Sequence, residues 1–285
     1  MKDQNVAIVY FSATDVTYTY ARFMQRIFSE QGWEVVLINV TTYASRQQAL
    51  PLNEHGNLIF GFPVYGDFAP SVINEWLPTL AGQGNRCAMF FTYGGRTTGY
   101  AHFHTKSLLE QSGFNVLFSA EFLGRHAFNL CGFSMVPDRP DEIDFEVAQD
   151  YVDLAIARFS QEDPPVFRLQ KPFGYASSLS RIKNRRVRTT RGLAQPTRVT
   201  EDCQMCYICE DECPAQAFDA DTGLSDIERC IECMRCVYFC PDEVIHCNQR
   251  MKADFPAFLD YFHLNQDMMN VKKSKIITES WQAAA

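Results

Sequence analysis

Two copies of one cysteine spacing constrain this chain more than any other feature. Each copy reads Cys-x-x-Cys-x-x-Cys-x-x-x-Cys-Pro; the first runs from Cys203 to Pro214 and the second from Cys230 to Pro241. Three thiolates separated by two residues can converge on one face of a tight turn and hold three corners of a metal–sulfur cubane. Two structural zinc sites are the alternative, because paired Cys-x-x-Cys also suits tetrahedral zinc. Zinc ribbons rarely repeat the third and fourth cysteine at this spacing, so the pattern favours cubanes.

The stretch from about residue 198 to 250 resembles the bacterial two-[4Fe-4S] ferredoxins. In that family the fourth cysteine of each copy binds the cluster of the other copy. The resemblance therefore implies a small α+β domain, residues 198–250, that holds two [4Fe-4S] clusters. The implied first cysteine set is Cys203, Cys206, Cys209 and Cys240, and the implied second cysteine set is Cys230, Cys233, Cys236 and Cys213.

The distribution of the cysteines predicts a reducing compartment. Nine of the eleven lie between residues 203 and 247, and only Cys87 and Cys131 lie elsewhere. Because cluster thiolates must stay reduced during assembly, we expect the protein in the cytoplasm. We also expect no leader segment and no membrane span, since no stretch approaches ~20 apolar residues. Cys247 lies outside the repeated spacing and is expected to be a buried apolar filler.

The net charge of −8 is made of blocks that alternate in sign. Residues 1–165 hold 10 basic and 18 acidic side chains, residues 166–200 hold 9 basic and none acidic, and residues 201–250 hold 3 basic and 12 acidic. We expect a basic linker, residues 164–197, to lie along the seam and screen the repulsion between the acidic blocks. Docking of an acidic protein is the alternative. No interleaved aromatic module accompanies the basic run, so we predict no nucleic-acid partner.

An apolar run at residues 6–11 is followed directly by a loop rich in hydroxyl groups, residues 12–17, and then by a helical pattern. The run has the length and composition of a parallel strand that is buried on both faces. Strand, loop and helix in this order form a phosphate cradle, because backbone N–H groups at the helix start face the anion. Ordinary helix capping is the alternative, but a cap explains one hydroxyl and the loop carries three.

This part of the chain resembles the flavodoxins, whose phosphate loop is commonly Ser/Thr-x-Thr-Gly-x-Thr. The resemblance implies an FMN phosphate site, loop 1, made by Ser12, Ala13, Thr14, Asp15, Val16 and Thr17. Asp15 stands where the family has glycine. A carboxylate repels phosphate unless it turns outward, so we expect weaker FMN binding than a glycine would allow. Aspartate tolerates unusual backbone angles better than most residues, so we expect the loop to keep its shape.

Two further loops that follow strand-like segments also resemble flavin-contacting segments of flavodoxins. Loop 2 matches the Pro-x-Tyr loop beside the flavin ring, and loop 3 matches a segment where an aromatic residue and glycines cover the ring. The implied contacts are Pro63, Val64, Tyr65 and Gly66 in loop 2, and Thr92, Tyr93, Gly94 and Gly95 in loop 3. A loop with a half-buried tyrosine is the alternative for loop 2. His126, after the fifth strand, lies near the flavin or is an ordinary loop histidine.

Five strand–helix units predict an α/β fold for residues 1–163, a flavodoxin-like doubly wound sheet of five parallel strands in the order 2-1-3-4-5. Ligands of such sheets lie outside the carboxyl ends of the strands, and all three loops follow strand ends. No Gly-x-Gly-x-x-Gly follows the first strand, so a nicotinamide site is disfavoured. Pro164 and Pro165 mark the domain boundary. Residues 251–285 are expected to contribute a helix over 257–264 and a frayed tail.

Over residues 5–250 the chain resembles the flavodoxin–ferredoxin fusion proteins of anaerobic prokaryotes. The resemblance implies a low-potential carrier that passes electrons between FMN and two [4Fe-4S] clusters and serves an unidentified redox protein. One alternative is a reductase whose flavin acts on a small substrate, with Tyr93, Arg96 or His126 as acid or anion-binding groups. The other is a docking module without flavin, in which only the clusters are active. No hydrolytic triad or acid–base pair is present, so no catalytic residue is predicted.

Overall fold

A six-stranded sheet forms the centre of the N-terminal region. The computed structural model describes residues 4–183, 194–248 and 251–278. The strands are β1 (Asn5–Tyr10), β2 (Glu34–Asn39), β3 (Asn57–Pro63), β4 (Arg86–Tyr93), β5 (Asn115–Leu123) and, near the end of the chain, β10 (Lys275–Ile277). Their order is β10-β5-β4-β3-β1-β2, and the first five in sequence run parallel. This confirms the doubly wound order 2-1-3-4-5.

Helices cover both faces of this sheet because its central strands are apolar on both sides. The helices of this region are α1 (Val16–Glu30), α2 (Tyr43–Gln47), α3 (Ser71–Trp76), α4 (Ala101–Gln111) and α5 (Glu142–Ser160). Buried side chains of α1 and α5 share one hydrophobic cluster, and those of α3 and α4 share the cluster on the opposite face. Helix α5 begins with a capping box between Asp141 and Asp144, which satisfies two backbone N–H groups.

The cysteine-rich region is a much smaller unit with short elements. After α6 (Tyr175–Lys183) it contains β6 (Thr197–Arg198), α7 (Ile208–Asp211), β7 (Phe218–Asp219), β8 (Leu224–Ser225), α8 (Arg235–Phe239) and β9 (Ile245–His246). The strands form a second sheet in the order β7-β8-β6-β9 with antiparallel pairs. The region therefore has the small α+β architecture that its sequence predicts.

The end of the chain returns to the first sheet, which the sequence did not predict. Helices α9 (Met251–Tyr261) and α10 (Gln266–Asn270) lead to β10, which pairs antiparallel with β5. The expected frayed tail is therefore wrong for residues 275–277, because their backbone bonds to the edge of the sheet; residues 279–285 lie outside the described residues. The predicted helix over 257–264 begins earlier, at Met251. Within the described ranges, none of the helices has both the length and the apolar character needed to cross a bilayer.

Candidate functional site

A cavity of about 350 Å³ opens at the carboxyl edge of the first sheet. All three loops identified in the sequence contribute to its wall. The predicted residues that line it are Ser12, Ala13, Thr14, Val16, Thr17, Pro63, Val64, Tyr65, Gly66, Thr92, Tyr93 and Gly94. Asp15 and Gly95 are the two predicted residues that do not line it. The cavity lies where the strand order reverses between β1 and β3, the usual ligand position in a doubly wound sheet.

Hydroxyl groups fix the shape of loop 1. Ser12 Oγ accepts a hydrogen bond from the backbone N–H of Tyr18 at 3.1 Å. The hydroxyls of Thr17 and Thr92 are hydrogen-bonded at 2.8 Å, which ties loop 1 to loop 3. The first turn of a helix leaves backbone N–H groups without intrahelical partners, and loop 1 leads directly into α1. Loop 1 therefore suits a phosphate group.

Asp15 adopts a backbone conformation that is typical of glycine. Its φ is 62°, in the left-handed region that aspartate tolerates. Its carboxylate lies beside Tyr238 of α8, and the pKa of that tyrosine is raised by burial and then by this carboxylate. Asp15 does not line the cavity, so its carboxylate is not part of the wall that would face a phosphate.

Loops 2 and 3 lie against each other, and a histidine ring packs against a glycine of loop 3. The N–H of Val64 donates to the carbonyl of Thr92 at 2.9 Å. The pKa of Tyr65 is raised by burial and then by the neighbouring Cys233 thiol. A Cβ added at Gly94 would collide with the ring of His126, so only glycine fits there. Gly66 of loop 2, in contrast, lines the cavity and has no atom within 4 Å of where a Cβ would stand, so a flat ring could approach its backbone closely.

The cavity wall also contains groups outside the three loops, with other chemistry. Arg96 lies at this wall, forms an ion pair with Asp67, and places its guanidinium carbon 4.7 Å from the ring centre of Phe262. His126 also lines the cavity, and its pKa is lowered to about 4 by burial and then by Arg96, so it is neutral at pH 7. Part of the aromatic lining comes from Phe258, Tyr261 and Phe262 in and after α9. The structure therefore brings Tyr93, Arg96 and His126 to the same cavity.

The second cysteine set borders the cavity, whereas the first reaches the surface. Ile231 and Glu232, between the first two cysteines of the second copy, line the cavity. Cys233 is 8% exposed and belongs to the core cluster that includes residues of β1, β3 and β4. Cys206 of the first set is exposed. Any metal centre held by the second set therefore lies beside the three loops.

Electrostatic interactions connect thiols within each predicted set. The pKa of Cys209 is raised to about 11 by burial and by the neighbouring Cys206 and Cys203, against the lowering effect of backbone N–H groups. The pKa of Cys233 is raised by burial and by Cys213 and Cys230. The thiol of Cys236 is affected in the same way, by burial and by the other three members of the second set. Cys213 thus lies with the second set rather than with its own copy.

The surroundings of these sulfurs suit thiolate ligands. Backbone N–H groups point at three of them: Met205 at Cys203 (3.4 Å), Ala217 at Cys213 (3.2 Å) and Glu232 at Cys230 (3.4 Å). Hydrogen bonds to ligand sulfur are one means by which proteins set the potential of iron–sulfur centres. Over the described ranges, no three His, Cys, Asp or Glu side chains surround one point that would hold a single metal ion. The donor set and its N–H···S contacts fit cubane ligation.

Two buried arginines join the two regions, and sequence reasoning missed both. Arg235, the first residue of α8, donates to the carbonyl of Ser12 at 2.9 Å. Arg46, in α2, donates to the carbonyl of Pro214, and burial lowers its pKa to about 10. Arg235 is one of three basic residues in the acidic block 201–250 and lies between Cys233 and Cys236. This position could have indicated a buried contact from the sequence. Nothing in the sequence around Arg46 distinguishes it.

Cys247 is not an isolated apolar filler, and that expectation is wrong. It forms a disulfide with Cys131, 116 residues earlier, with a Cα–Cα distance of 5.5 Å. Both sulfurs lie 3.3 Å from the sulfur of Met234. The pairing depends on packing between the two regions, so no local spacing indicates it.

The basic linker lies only partly within the described residues. Helix α6 belongs to it, but residues 184–193 lie outside the described ranges. Arg198, just after the linker, donates to the carbonyls of Ala220 and Asp221 in the cysteine-rich region. Screening of the seam and docking of an acidic protein both remain predictions.

Known proteins resemble the two regions separately. No protein-family model matches the chain. Ferredoxin-3 of Chlorobaculum tepidum is 39% identical over 56 residues, and the match covers 17% of this chain and 90% of that protein. Ferredoxin-2 of the same organism is 34% identical over 56 residues, with the same coverage of the two chains. The structural match to an archaeal flavodoxin covers 55% of this chain and 99% of that protein, at 15% identity and a TM-score of 0.42. The match to Flavodoxin 1 of Bacillus cereus covers 54% of this chain and 97% of that protein, also at 15% identity and a TM-score of 0.42.

The ferredoxin match covers nearly the whole of a curated relative, whereas the structural matches are too distant to add to what the strand order establishes. Through its C-terminal segment the chain belongs to the ferredoxins, here joined behind a flavodoxin-like fold.

Proposed function

We propose that the chain is an electron-transfer protein that joins one FMN, held by loops 1 to 3, to two [4Fe-4S] clusters, held by the two cysteine sets. The observation that carries this proposal is the shared cavity, whose wall includes all three loops and also Ile231 and Glu232 of the second cysteine copy. A bound flavin handles electrons in pairs or singly and cubanes handle them singly at low potential, so their proximity suits a relay.

Each part of the chain has a defined task in this proposal. Loop 1 binds the phosphate through the start of α1, while loops 2 and 3 hold the ring with Tyr65, Tyr93 and Gly94. Burial of Cys233 excludes water beside the cavity, and N–H···S contacts to Cys213 and Cys230 stabilise the thiolates. The exposed Cys206 places the first set where a redox partner protein has access. Cluster assembly requires reduced thiols, which favours the cytoplasm.

The proposed division of the chain is an FMN domain over residues 1–163, a basic linker over 164–197, a ferredoxin domain over 198–250, and a helix and tail over 251–285. The last part contacts the first, since β10 extends the sheet of the FMN domain.

The test is a cofactor count followed by a kinetic measurement. Protein purified without oxygen should contain about eight irons and one FMN per chain. After one-electron reduction by a small donor, flavin bleaching should follow at a rate independent of protein concentration. Cys233→Ala should abolish that phase, whereas Cys87→Ala, a cysteine of neither set, should retain it. Zinc in place of iron, or failure to bind added FMN, would contradict the proposal; the second result would leave the docking module without flavin.

A flavin-dependent reductase of a small substrate is the second candidate. Arg96, neutral His126 and the aromatic side chains of α9 line the same cavity as the loops, and this composition favours the reductase. Turnover of small oxidants without any partner protein would support the reductase over the carrier. Arg96→Gln should then lower turnover while leaving the flavin content unchanged.

A further inference from the structure

Helix α8 of the cysteine-rich region contacts the back of loop 1 through a buried arginine. Arg235 is 5% exposed and lies between Cys233 and Cys236 of the second set. Its Nη1 donates to the carbonyl oxygens of Ser12 at 2.9 Å and Ala13 at 3.4 Å. These two carbonyls belong to the loop that the proposed function assigns to the phosphate. A cation is therefore buried directly behind the predicted anion site.

The charge of Arg235 is balanced by a residue that also belongs to the cysteine framework. Glu212 Oε2 accepts from Arg235 Nε at 2.9 Å and forms an ion pair with the same guanidinium. Glu212 immediately precedes Cys213, the member of the second set that comes from the first copy. The guanidinium carbon also lies 4.3 Å from the ring centre of Phe239. The orientation of Arg235 thus depends on both segments that supply the second set.

A separate path reaches the same loop from its other side. The N–H of Ser12 donates to Thr41 Oγ1 at 2.8 Å. Arg46 is 7% exposed and donates to the carbonyl of Thr41 at 2.8 Å and to the carbonyl of Pro214. Pro214 directly follows Cys213. The backbone of Ser12 is therefore fixed through its N–H by the Arg46 path and through its carbonyl by Arg235.

Asp15 forms the third contact between loop 1 and α8. Its carboxylate interacts with Tyr238, one turn after Arg235 on the same helix. The residue that departs from the flavodoxin pattern is thus the residue that faces the ferredoxin helix. A flavodoxin loop with glycine at this position would lack this contact.

We propose that Arg235 is a positioning residue that couples loop 1 to the second cysteine set, so that phosphate binding by loop 1 and cluster assembly in the second set strengthen each other. This inference rests on the proposed function for the identity of the ligand. Coupling of this kind is reciprocal: whatever cluster loss does to FMN affinity, FMN must do to cluster retention. Arg235 acts through the loop backbone and lies behind it, so the effect should depend on the phosphate.

The first test compares FMN with riboflavin, which lacks the phosphate, on the full-length protein after flavin removal. With the clusters intact, FMN should bind at least about tenfold more tightly than after iron chelation, within the usual range of coupled sites. Riboflavin affinity should change much less. Arg235→Ala should weaken FMN binding and reduce its dependence on the clusters, and Arg235→Lys should restore part of both. Arg229→Ala is the matched control, because Arg229 is an exposed cation of the same region that donates to Ala215.

The second test is the reciprocal one and does not need a variant that alters a buried charge. Saturating FMN should slow iron release to a chelator in the wild type, and riboflavin should not. Tyr238→Phe should reduce this protection. Equal FMN affinity with and without clusters, or Arg235→Ala behaving like Arg229→Ala, would overturn the coupling while leaving the proposed function intact. Failure of the wild type to bind FMN would instead overturn both.

Discussion

The sheet region, residues 4–160, and the cysteine-rich region, residues 194–248, are stabilised in different ways. In the sheet region, β1, β3 and β4 are buried along nearly their whole length, and helices pack on both faces. Among the described residues of the cysteine-rich region, the buried members of the local cluster are Phe218, Val244 and Ile245, and Val237 and five cysteines pack against them. One region has a core independent of its ligand, whereas in the other the proposed ligands of the metal are themselves part of the core.

Iron removal should therefore produce the largest difference between the two regions. Because metal binding supplies folding free energy to small sites of this kind, we expect β6 to β9 to lose essentially all amide protection after anaerobic chelation. The strands β1 to β5 should stay protected. Hydrogen exchange, measured separately for the strands of each region before and after chelation, checks this prediction. Flavin removal is the control and should leave both sheets protected. Persistent protection of β6 to β9 without iron would show that the small region has an adequate core of its own.

The same substitution in the two regions should have unequal effects. Phe90 is fully buried in β4, and its ring occupies the space above Gly61 of β3. Phe90→Ala should lower the free energy of unfolding of the sheet by about 4 kcal/mol, the usual cost of such a cavity. Phe218→Ala should leave the urea midpoint of the sheet unchanged and instead accelerate iron loss. Circular dichroism measures the stability of the sheet, and iron release to a chelator measures the stability of the clusters. A large fall in sheet stability from Phe218→Ala would show that the two regions are not stabilised separately.

The two regions also differ in how much the sequence reveals about them. The apolar runs of β1, β3 and β4 and the repeated cysteine spacing are local patterns, and they were sufficient to predict the strand order and the kinship with ferredoxins. The three loops were predicted individually, and the parallel topology explains why they meet. Arg235 and Ser12 are 223 residues apart, and the Cys131–Cys247 pair is separated by 116. Contacts of this kind arise from packing between regions and have no spacing that a sequence pattern can show.

The sheet region should lose stability in acid through one buried carboxylate. Glu121 in β5 accepts from Thr98 Oγ1 at 2.6 Å, lies 3.1 Å from Lys275 Nζ, and has His102 Nε2 at 3.4 Å. Burial raises the pKa of Glu121, but the His102, Thr98 and Lys275 interactions outweigh it and lower the pKa from 4.5 to about 2. The folded-state pKa is the lower one, so the stabilisation is complete above pH 4.5 and is lost as the pH falls towards 2.

That contribution amounts to about 3 kcal/mol, from the free energy equivalent of a pKa change. Glu121→Gln should remove it, so the stability difference between wild type and variant should shrink between pH 5 and pH 2. Cluster loss in acid affects both proteins and cancels in the difference. Glu34→Gln, on the exposed edge strand β2, is the matched control, and its stability difference from the wild type should not shrink between pH 5 and pH 2. A difference that stays constant with pH would show that Glu121 is not held ionised by its neighbours.

The smallest predicted effect concerns β10, which follows the cysteine-rich region in sequence but belongs to the sheet region in space. Ser274 Oγ accepts from the N–H of Leu123 at 2.9 Å and donates to the carboxylate of Asp144. Ser274→Ala leaves a buried N–H without its partner, so it should lower the stability of the sheet by about 2 kcal/mol. The exposed Ser160→Ala should have almost no effect. Hydrogen exchange at Ile276 after iron removal then decides to which region β10 belongs. If the amide stays protected in the wild type and loses protection in Ser274→Ala, β10 is part of the core of the sheet region. If the wild type loses this protection together with the iron, β10 is an extension of the cysteine-rich region.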